Sequence, residues 1–264
     1  MTSIRGIALG LAAAIIALAP GLSQARSLEE IKQSGTLRVA VAMGVPLFAF
    51  ADKTMQPTGS DVETAKKIAE DLGVKLQLVE ITNAARVPTI QTGKADILVA
   101  NLGITDERKK AVDFTVPYAT LNIIVAGTGS EAIGDYAALA GKRIGVTRAT
   151  VNDQLVTQNA PNAQVVRFED DATLITAVTS GQVNLVSTQS AVLSAMNERK
   201  GGDPLEVKFV QRELNLGIAL PKGEETLREW LNTWIRENAA NGKLNALFKS
   251  FHNRDLPADL TERG

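Results

Sequence analysis

No cysteine occurs in the 264 residues. Disulfides, thiolate metal sites, a cysteine nucleophile and a lipid anchor on cysteine are therefore excluded. Histidine is almost as scarce: His252, in "FKSFHNRDLP", is the only one. A His-based triad or a zinc site needs more than this chain offers, and His252 reads as a surface or helix-end residue. Carboxylate chemistry stays open. Neither sign of charge is in excess, with 28 Lys+Arg against 29 Asp+Glu, so there is no electrostatic footprint for nucleic acid or an anionic membrane. Long apolar runs are missing too. The stretch Ile7 to Ala19 has 13 residues, against roughly 20 needed to span a bilayer.

That short run has another reading. Arg5 precedes it, and "GLSQA" puts Ser23 and Ala25 at the −3 and −1 positions of a cleavage site, the layout of a secretory signal peptide over residues 1–25. The expected mature chain starts near Arg26 and is exported. Its removal takes one cation, Arg5, and no acid, leaving 27 Lys+Arg against 29 Asp+Glu and a net charge of −2. A chain of this length builds an ordinary core without disulfides.

Hydrophobic periodicity then alternates. "TLRVAVAM" (36–43) reads as a strand and "SDVETAKKIAEDLG" (60–73) as a helix. In that helix Ser60 and Glu63 suggest a capping box, Val62, Ala65, Ile68, Ala69 and Leu72 form one apolar face, and Gly73 marks the C-terminal stop. "VKLQLVEI" (74–81) is a strand, "ARVPTIQTG" (85–93) a short helix with Pro88 in its first turn, and "KADILVAN" (94–101) a strand. A second unit repeats this order: strands at 141–147, 163–168 and 182–188, helices at 151–159 and 171–181. "TIQTGKADILVANLGIT" aligns with "AVTSGQVNLVSTQSAV", setting Gly93 against Gly181 at helix ends. Two βαβαβ units argue for two doubly wound α/β lobes. Extended stretches at 116–127 and 212–223 carry the chain between them. Helical tail segments follow, whose Leu227, Trp230, Leu231, Trp234, Leu247, Phe248 and Phe251 are assigned to packing.

"VANLGITDERKKAVDFTVPYA" sets five consecutive charges, Asp106 to Lys110, between two apolar runs. Either the turn is solvated, or Arg108 faces a cleft and holds an anion.

Several ordered pieces decide what the chain resembles: "SGTLRVAV", "PTGSDVETAKKIAEDLGVKLQLV", "ARVPTIQTGKADILVANLGITDERKKAVDFTVPYA", "LAGKRIGVTRAT", "SGQVNLVSTQSAV" and "LGIALPKG". In this order and spacing, nearly the whole mature chain resembles an extracytoplasmic solute-binding protein of the amino-acid family that serves ABC importers. The resemblance implies two lobes of the type II periplasmic binding fold: lobe 1 from 26–121 plus 217–264, and lobe 2, inserted, from 122–216. A two-strand hinge joins them, with ligand held between and closure driven by ligand. It implies a periplasmic monomer that delivers a small-molecule carboxylate or amino acid to a membrane permease, with no cofactor, no metal and no nucleic acid.

By the same resemblance Arg108 of the "IT-x-x-R" turn grips the ligand carboxylate, its planar fork giving two parallel hydrogen bonds. Thr105 caps the helix that follows, and Asn101 and Gly103 line the same site. Arg86, just before Val-Pro, contacts ligand in members that take acidic amino acids, and Asn83 reaches the same cleft; a surface ion pair for Arg86 is the competing reading. Arg148 opens the corresponding turn of the second unit, with Thr150 as hydroxyl donor, and an outward-pointing Arg148 is equally open.

Three departures narrow the ligand. Gln189 stands where members binding ordinary amino acids carry an aspartate for the α-ammonium. Val45 and Ser60 stand where others place tyrosine and phenylalanine. Asp61, Glu80 and Asp171 remain as substitute ammonium partners. The expected ligand is small, polar and carboxylate-bearing. The alternative is a periplasmic dehydratase of the same fold, acting on a cyclic carboxylate such as prephenate or arogenate with a cleft acid as proton donor.

Overall fold

A computed structural model describes residues 26–263; residues 1–25, expected from the sequence to be a signal peptide, lie outside the described residues. The chain runs α1 (Leu28–Ser34), β1 (Thr36–Ala42), β2 (Phe50–Ala51), β3 (Pro57–Thr58), α2 (Ser60–Leu72), β4 (Lys75–Ile81), α3 (Arg86–Gln91), β5 (Ile97–Leu98), α4 (Asp106–Ala111) and β6 (Asp113–Gly127). It continues through β7 (Arg143–Thr147), α5 (Val151–Asn159), β8 (Gln164–Phe168), α6 (Asp171–Thr179), β9 (Leu185–Gln189), α7 (Ser190–Arg199), β10 (Glu206–Leu220), α8 (Glu225–Ala240) and α9 (Lys243–His252).

The internal repeat is visible in the sheet. Its order is β4-β1-β5-β10-β6-β9-β7-β8. In the first half β1 lies between β4 and β5, parallel to both, and in the second β7 lies between β8 and β9, again parallel to both. Gly93 and Gly181, matched in the sequence, both take left-handed conformations, with φ of 65° and 75°. Between the halves run β6 and β10, each of 15 residues, antiparallel from Asp113↔Leu220 to Gly127↔Glu206. At one end β10 meets β5 through Ala219↔Leu98, and at the other β6 meets β9 over Ile123–Gly127.

Each half buries its own apolar side chains. Leu37 and Val39 of β1 pack in one cluster with Val62 and Ile68 of α2 and with Leu231, Trp234, Ile235 and Phe248 of the tail helices. In the second half, Leu174, Val178 and Met196 cover one face of the sheet, while Leu139, Ile144, Val146 and Val156 form a cluster on the other. The tail thus returns to the first half, so the chain crosses between halves twice.

Four local differences from the sequence reading have physical causes. No capping box forms at Ser60: the N-cap is Gly59, without a side-chain bond, and Ser60 is buried within the first turn. Gly59 holds φ 118°, and a Cβ there would stand 2.3 Å from the Phe48 carbonyl oxygen. Gly59→Ala is therefore expected to cost roughly 1–3 kcal/mol, read as a lower urea midpoint; an unchanged midpoint would mean the 44–49 loop yields freely. β5 is two residues long, not eight, because the backbone turns away at Asn101, which takes φ 40°. α1 and α7 were not foreseen. For α1 the signal existed, since Ser27 and Glu30 form a reciprocal capping box.

His252 is neither exposed nor a simple cap. Its ring stacks on Phe248 at 4.1 Å and lies 4.5 Å from Phe48, and its Nε2 shares a 3.0 Å hydrogen bond with the Ser60 hydroxyl. Burial, aided by the Arg254 charge, pushes its pKa down to about 4.

Candidate ligand-binding cleft

Where the halves meet, residues 102–104 are tied to β10: Gly103 bridges Leu216, Ile104 N–H donates to Asn215 O at 2.9 Å, and Gly217 N–H donates to Leu102 O at 3.1 Å. This alignment aims the charged turn. Thr105 caps α4, its hydroxyl accepting from Arg108 N–H at 3.3 Å. Lys109 and Lys110 are exposed, whereas the Arg108 guanidinium turns inward. Its Nη1 donates to Gly103 O at 3.0 Å, and its Nη2 reaches Ala149 O in the opposite half at 3.4 Å.

Arg86, the first residue of α3, is buried. Its Nε donates to Asn83 O at 2.9 Å, and its Nη1 donates to Asn101 Oδ1 at 3.0 Å and Ala100 O at 3.3 Å. The left-handed backbone at Asn101 brings that side-chain oxygen into reach. Among the described residues, neither guanidinium has a carboxylate oxygen within ion-pair distance; both bond to carbonyl and amide oxygens. Burial, with the neighbouring Arg86 charge, pushes Arg108 down to about 9. Burial pushes Arg86 down to about 10, opposed by Asp171 and Asp61. Both stay cationic at neutral pH.

The opposite wall supplies acid and hydroxyls. Asp171 begins α6 and is buried. Thr147 Oγ1 donates to its Oδ1 at 2.6 Å, and Asn83 Nδ2, from across the cleft, donates to its Oδ2 at 3.3 Å. Burial raises its pKa despite those donors. Thr150 caps α5 and donates to Thr147 O at 2.6 Å. Gln189, at the end of β9, is 7% exposed, and its Oε1 is buried without a hydrogen-bond partner. Leu121, Ile123 and Leu214 of the crossing strands close the apolar side, and about 410 Å³ of space, partly open to solvent, lies between these walls.

Seven of the nine residues singled out in the sequence line this space: Asn83, Arg86, Asn101, Gly103, Arg108, Thr150 and Gln189. Two do not. Arg148 is exposed, its Nε 3.4 Å from Glu169 Oε2, and Ser60 is engaged with His252. Of the three substitute acids, Asp171 lines the cleft; Glu80 is exposed on β4; Asp61 is buried in α2, accepting from the Tyr118 hydroxyl at 2.7 Å. Thr147, Asn152, Thr188 and the apolar wall were missed. Thr147 and Thr188 fall inside matched stretches without standing out there, and Asn152 lies in the first turn of α5; the pairing of distant strands sets them against the cleft.

Asp61 and His252 give the fold opposed responses to pH. Burial raises Asp61 to about 7, so between its unfolded value near 3.8 and 7 the folded state holds the extra proton and stability falls as pH rises. His252, depressed to about 4, holds fewer protons when folded between 4 and 6.5, so its contribution rises with pH there. Asp61→Asn is expected to unmask the histidine, giving a steeper gain in stability from pH 4 to 6.5 than in the unsubstituted protein. Urea unfolding across that range measures it, and parallel curves for the two proteins would refute it.

Comparison with known proteins adds an independent finding. The model of the bacterial extracellular solute-binding proteins, family 3, matches residues 37–254. The glutamine-binding protein GlnH of a Bacillus subtilis (strain 168) ABC transporter is 29% identical over 244 residues, covering 90% of this chain and 88% of that one. The L-cystine-binding protein TcyJ of Escherichia coli (strain K12) is 29% identical over 235 residues, 87% of each chain. Among solved structures, the ancestral amino acid-binding protein AncCDT-1, a precursor of cyclohexadienyl dehydratase, superposes with TM-score 0.78 at 32% identity, over 85% of this chain and 98% of that one. A mutant of ArgBP from T. maritima gives 0.80 at 30% identity, over 86% and 99%. Among the described residues no helix is long and apolar enough to cross a membrane.

Proposed function

The chain belongs to the bacterial extracellular solute-binding proteins, family 3, and from that premise we propose that it is the periplasmic substrate-binding component of an ABC importer. Its ligand is a small, polar, carboxylate-bearing molecule, an acidic or polar amino acid, held between lobe 1 (26–121 plus 217–264) and lobe 2 (122–216). The observation that carries this reading is a pair of inward guanidiniums, Arg86 and Arg108, without carboxylate partners in a cleft between two halves of one sheet. Arg86 is close enough to depress Arg108, and two neighbouring cations are stabilised when an anion arrives.

In this reading Arg108 takes the α-carboxylate, with the Thr150 hydroxyl facing it, and Arg86 takes a second acidic or polar group. An α-ammonium is received by Asp171 and the unpartnered Gln189 oxygen, replacing the aspartate that Gln189 displaces. Three contacts cross the cleft: Arg108 to Ala149 O, Asn83 to Asp171, and Gln154 Nε2 to Glu107 Oε2 at 3.0 Å. They hold the closed form that a permease recognises, and ligand shifts the opening equilibrium toward it. The protein acts as a monomer and as a binder rather than an enzyme, without cofactor or nucleic acid.

A thermal-shift screen across amino acids and organic acids tests this. Stabilisation by acidic or polar amino acids supports it through mass action, and stabilisation only by cationic or large apolar ones sinks it. One observation favours the dehydratase alternative: Asp171 is a cleft carboxyl whose pKa burial raises, as a general acid requires. Incubation with prephenate and arogenate, with product followed spectroscopically, separates the two.

A further inference from the structure

A second cavity adjoins the first. About 630 Å³ of space, partly open to solvent, is lined by Leu47, Phe48 and Arg254 on one side and Ser190 and Ser194 of α7 on the other. It shares Leu121 and Gln189 with the arginine cleft, so Gln189, with its buried unpartnered oxygen, stands at the junction. Arg254 brings a cation to this space. It is fixed rather than trailing: Nη2 donates to Thr120 O at 2.6 Å, and the guanidinium lies 4.8 Å from the Phe248 ring centroid. Glu213 is the acid that acts on it electrostatically, but Glu213 is itself paired with Arg263 at 3.0 Å. Among the described residues no carboxylate lies within ion-pair distance of Arg254.

An amino acid held by Arg86, Arg108 and Gln189 leaves the second cavity's fixed cation without an anionic partner; Arg254 bonds only to Thr120 there, and Ser194 Oγ donates to Glu198 at 3.4 Å. We infer that the second cavity is a further compartment of the same site, taking the distal end of an elongated ligand whose terminal carboxylate pairs with Arg254. This rests on the cleft reading given above. Aliphatic contact comes from Leu47, Leu121 and Ala191 along the way, which suits a methylene chain between two charged ends.

The probes are two eight-carbon amino acids, L-2-aminosuberate and L-2-aminooctanoate, which differ in the distal carboxylate, together with L-aspartate, whose side chain is four methylenes shorter than that of L-2-aminosuberate. By calorimetry the full-length mature protein is expected to bind L-2-aminosuberate at least 10-fold tighter than L-2-aminooctanoate. Arg254→Gln is expected to erase that preference and leave L-aspartate affinity unchanged. Because Arg254 also anchors Thr120, a second variant guards against a folding artefact. Ser194→Phe, on an exposed position of α7, fills the compartment and is expected to weaken both eight-carbon probes while sparing L-aspartate. Equal binding of the two long probes, or a preference that survives Arg254→Gln, overturns the second compartment and leaves the arginine cleft standing. Failure of all three probes to bind overturns both.

Discussion

Arg108→Ala is expected to lower affinity for an acidic amino acid by about 30- to 5,000-fold, ~2–5 kcal/mol, with little change in folding stability. The size follows from the setting. The guanidinium is largely withdrawn from water, and its neighbours are a carbonyl on each side of the cleft and another cation. Apart from its sequence neighbour Glu107, a ligand carboxylate is therefore the first opposite charge to act on it, met where the attraction is poorly screened. Removing the side chain leaves that carboxylate facing Arg86 alone, and also deletes the contact to Ala149 O that ties the halves together. Arg108→Lys is expected to lie between, since an ammonium keeps the charge but not the two-pronged geometry. Titration calorimetry with L-aspartate and L-glutamate reads both variants. Near-normal affinity in Arg108→Ala would return this turn to the solvated-surface reading.

The second large effect concerns the frame rather than the cleft. Asp96 precedes β5 with its side chain fully buried, and it accepts from both Arg26 and Arg38. Arg26 Nε donates at 2.9 Å, Arg38 Nη2 at 2.6 Å, and the Arg38 backbone N–H at 2.7 Å. Burial alone would raise this carboxyl, but hydrogen bonds from Arg26 and Arg38 hold it below its ordinary value. Asp96→Ala removes the shared acceptor from two cations and a backbone donor at the edge of β1, and is expected to cost about 3–5 kcal/mol. For a chain this long the melting temperature should fall by roughly 6–20 °C. Differential scanning calorimetry measures it, and a loss under about 1 kcal/mol would show that water and other acceptors replace the carboxylate. Acid reproduces part of the effect: the stability due to the depressed Asp96 is present above its unfolded value and lost as pH falls through the folded one.

Much of the architecture was legible because it is written in local periodicity. α2 lies where its apolar spacing and the Gly73 stop put it, α5 covers the expected 151–159, and both βαβαβ units fold with the same strand order. What sequence reading lost was set by distant partners. Ser60 looked like a cap because Glu63 follows at the right spacing, yet its hydroxyl is taken by His252, 192 residues away. Arg148 and Thr150 lie in one turn, and the left-handed backbone at Ala149, φ 57°, separates them, so the threonine faces the cleft and the arginine solvent. Asp171 reached the cleft as one of three open alternatives. Only the meeting of β7 and α6 with Asn83 distinguishes it from Glu80, which spacing alone could not do.

The two 15-residue strands that cross between the halves are paired from end to end, with register shifts at four places. Two chains joined side by side form a flat strap, which flexes across its thin dimension and resists bending edgewise or sliding lengthwise. A parting of the cleft walls about such a strap would be a book-like swing about one axis, one that brings Arg108 and Ala149 back to face each other on closing.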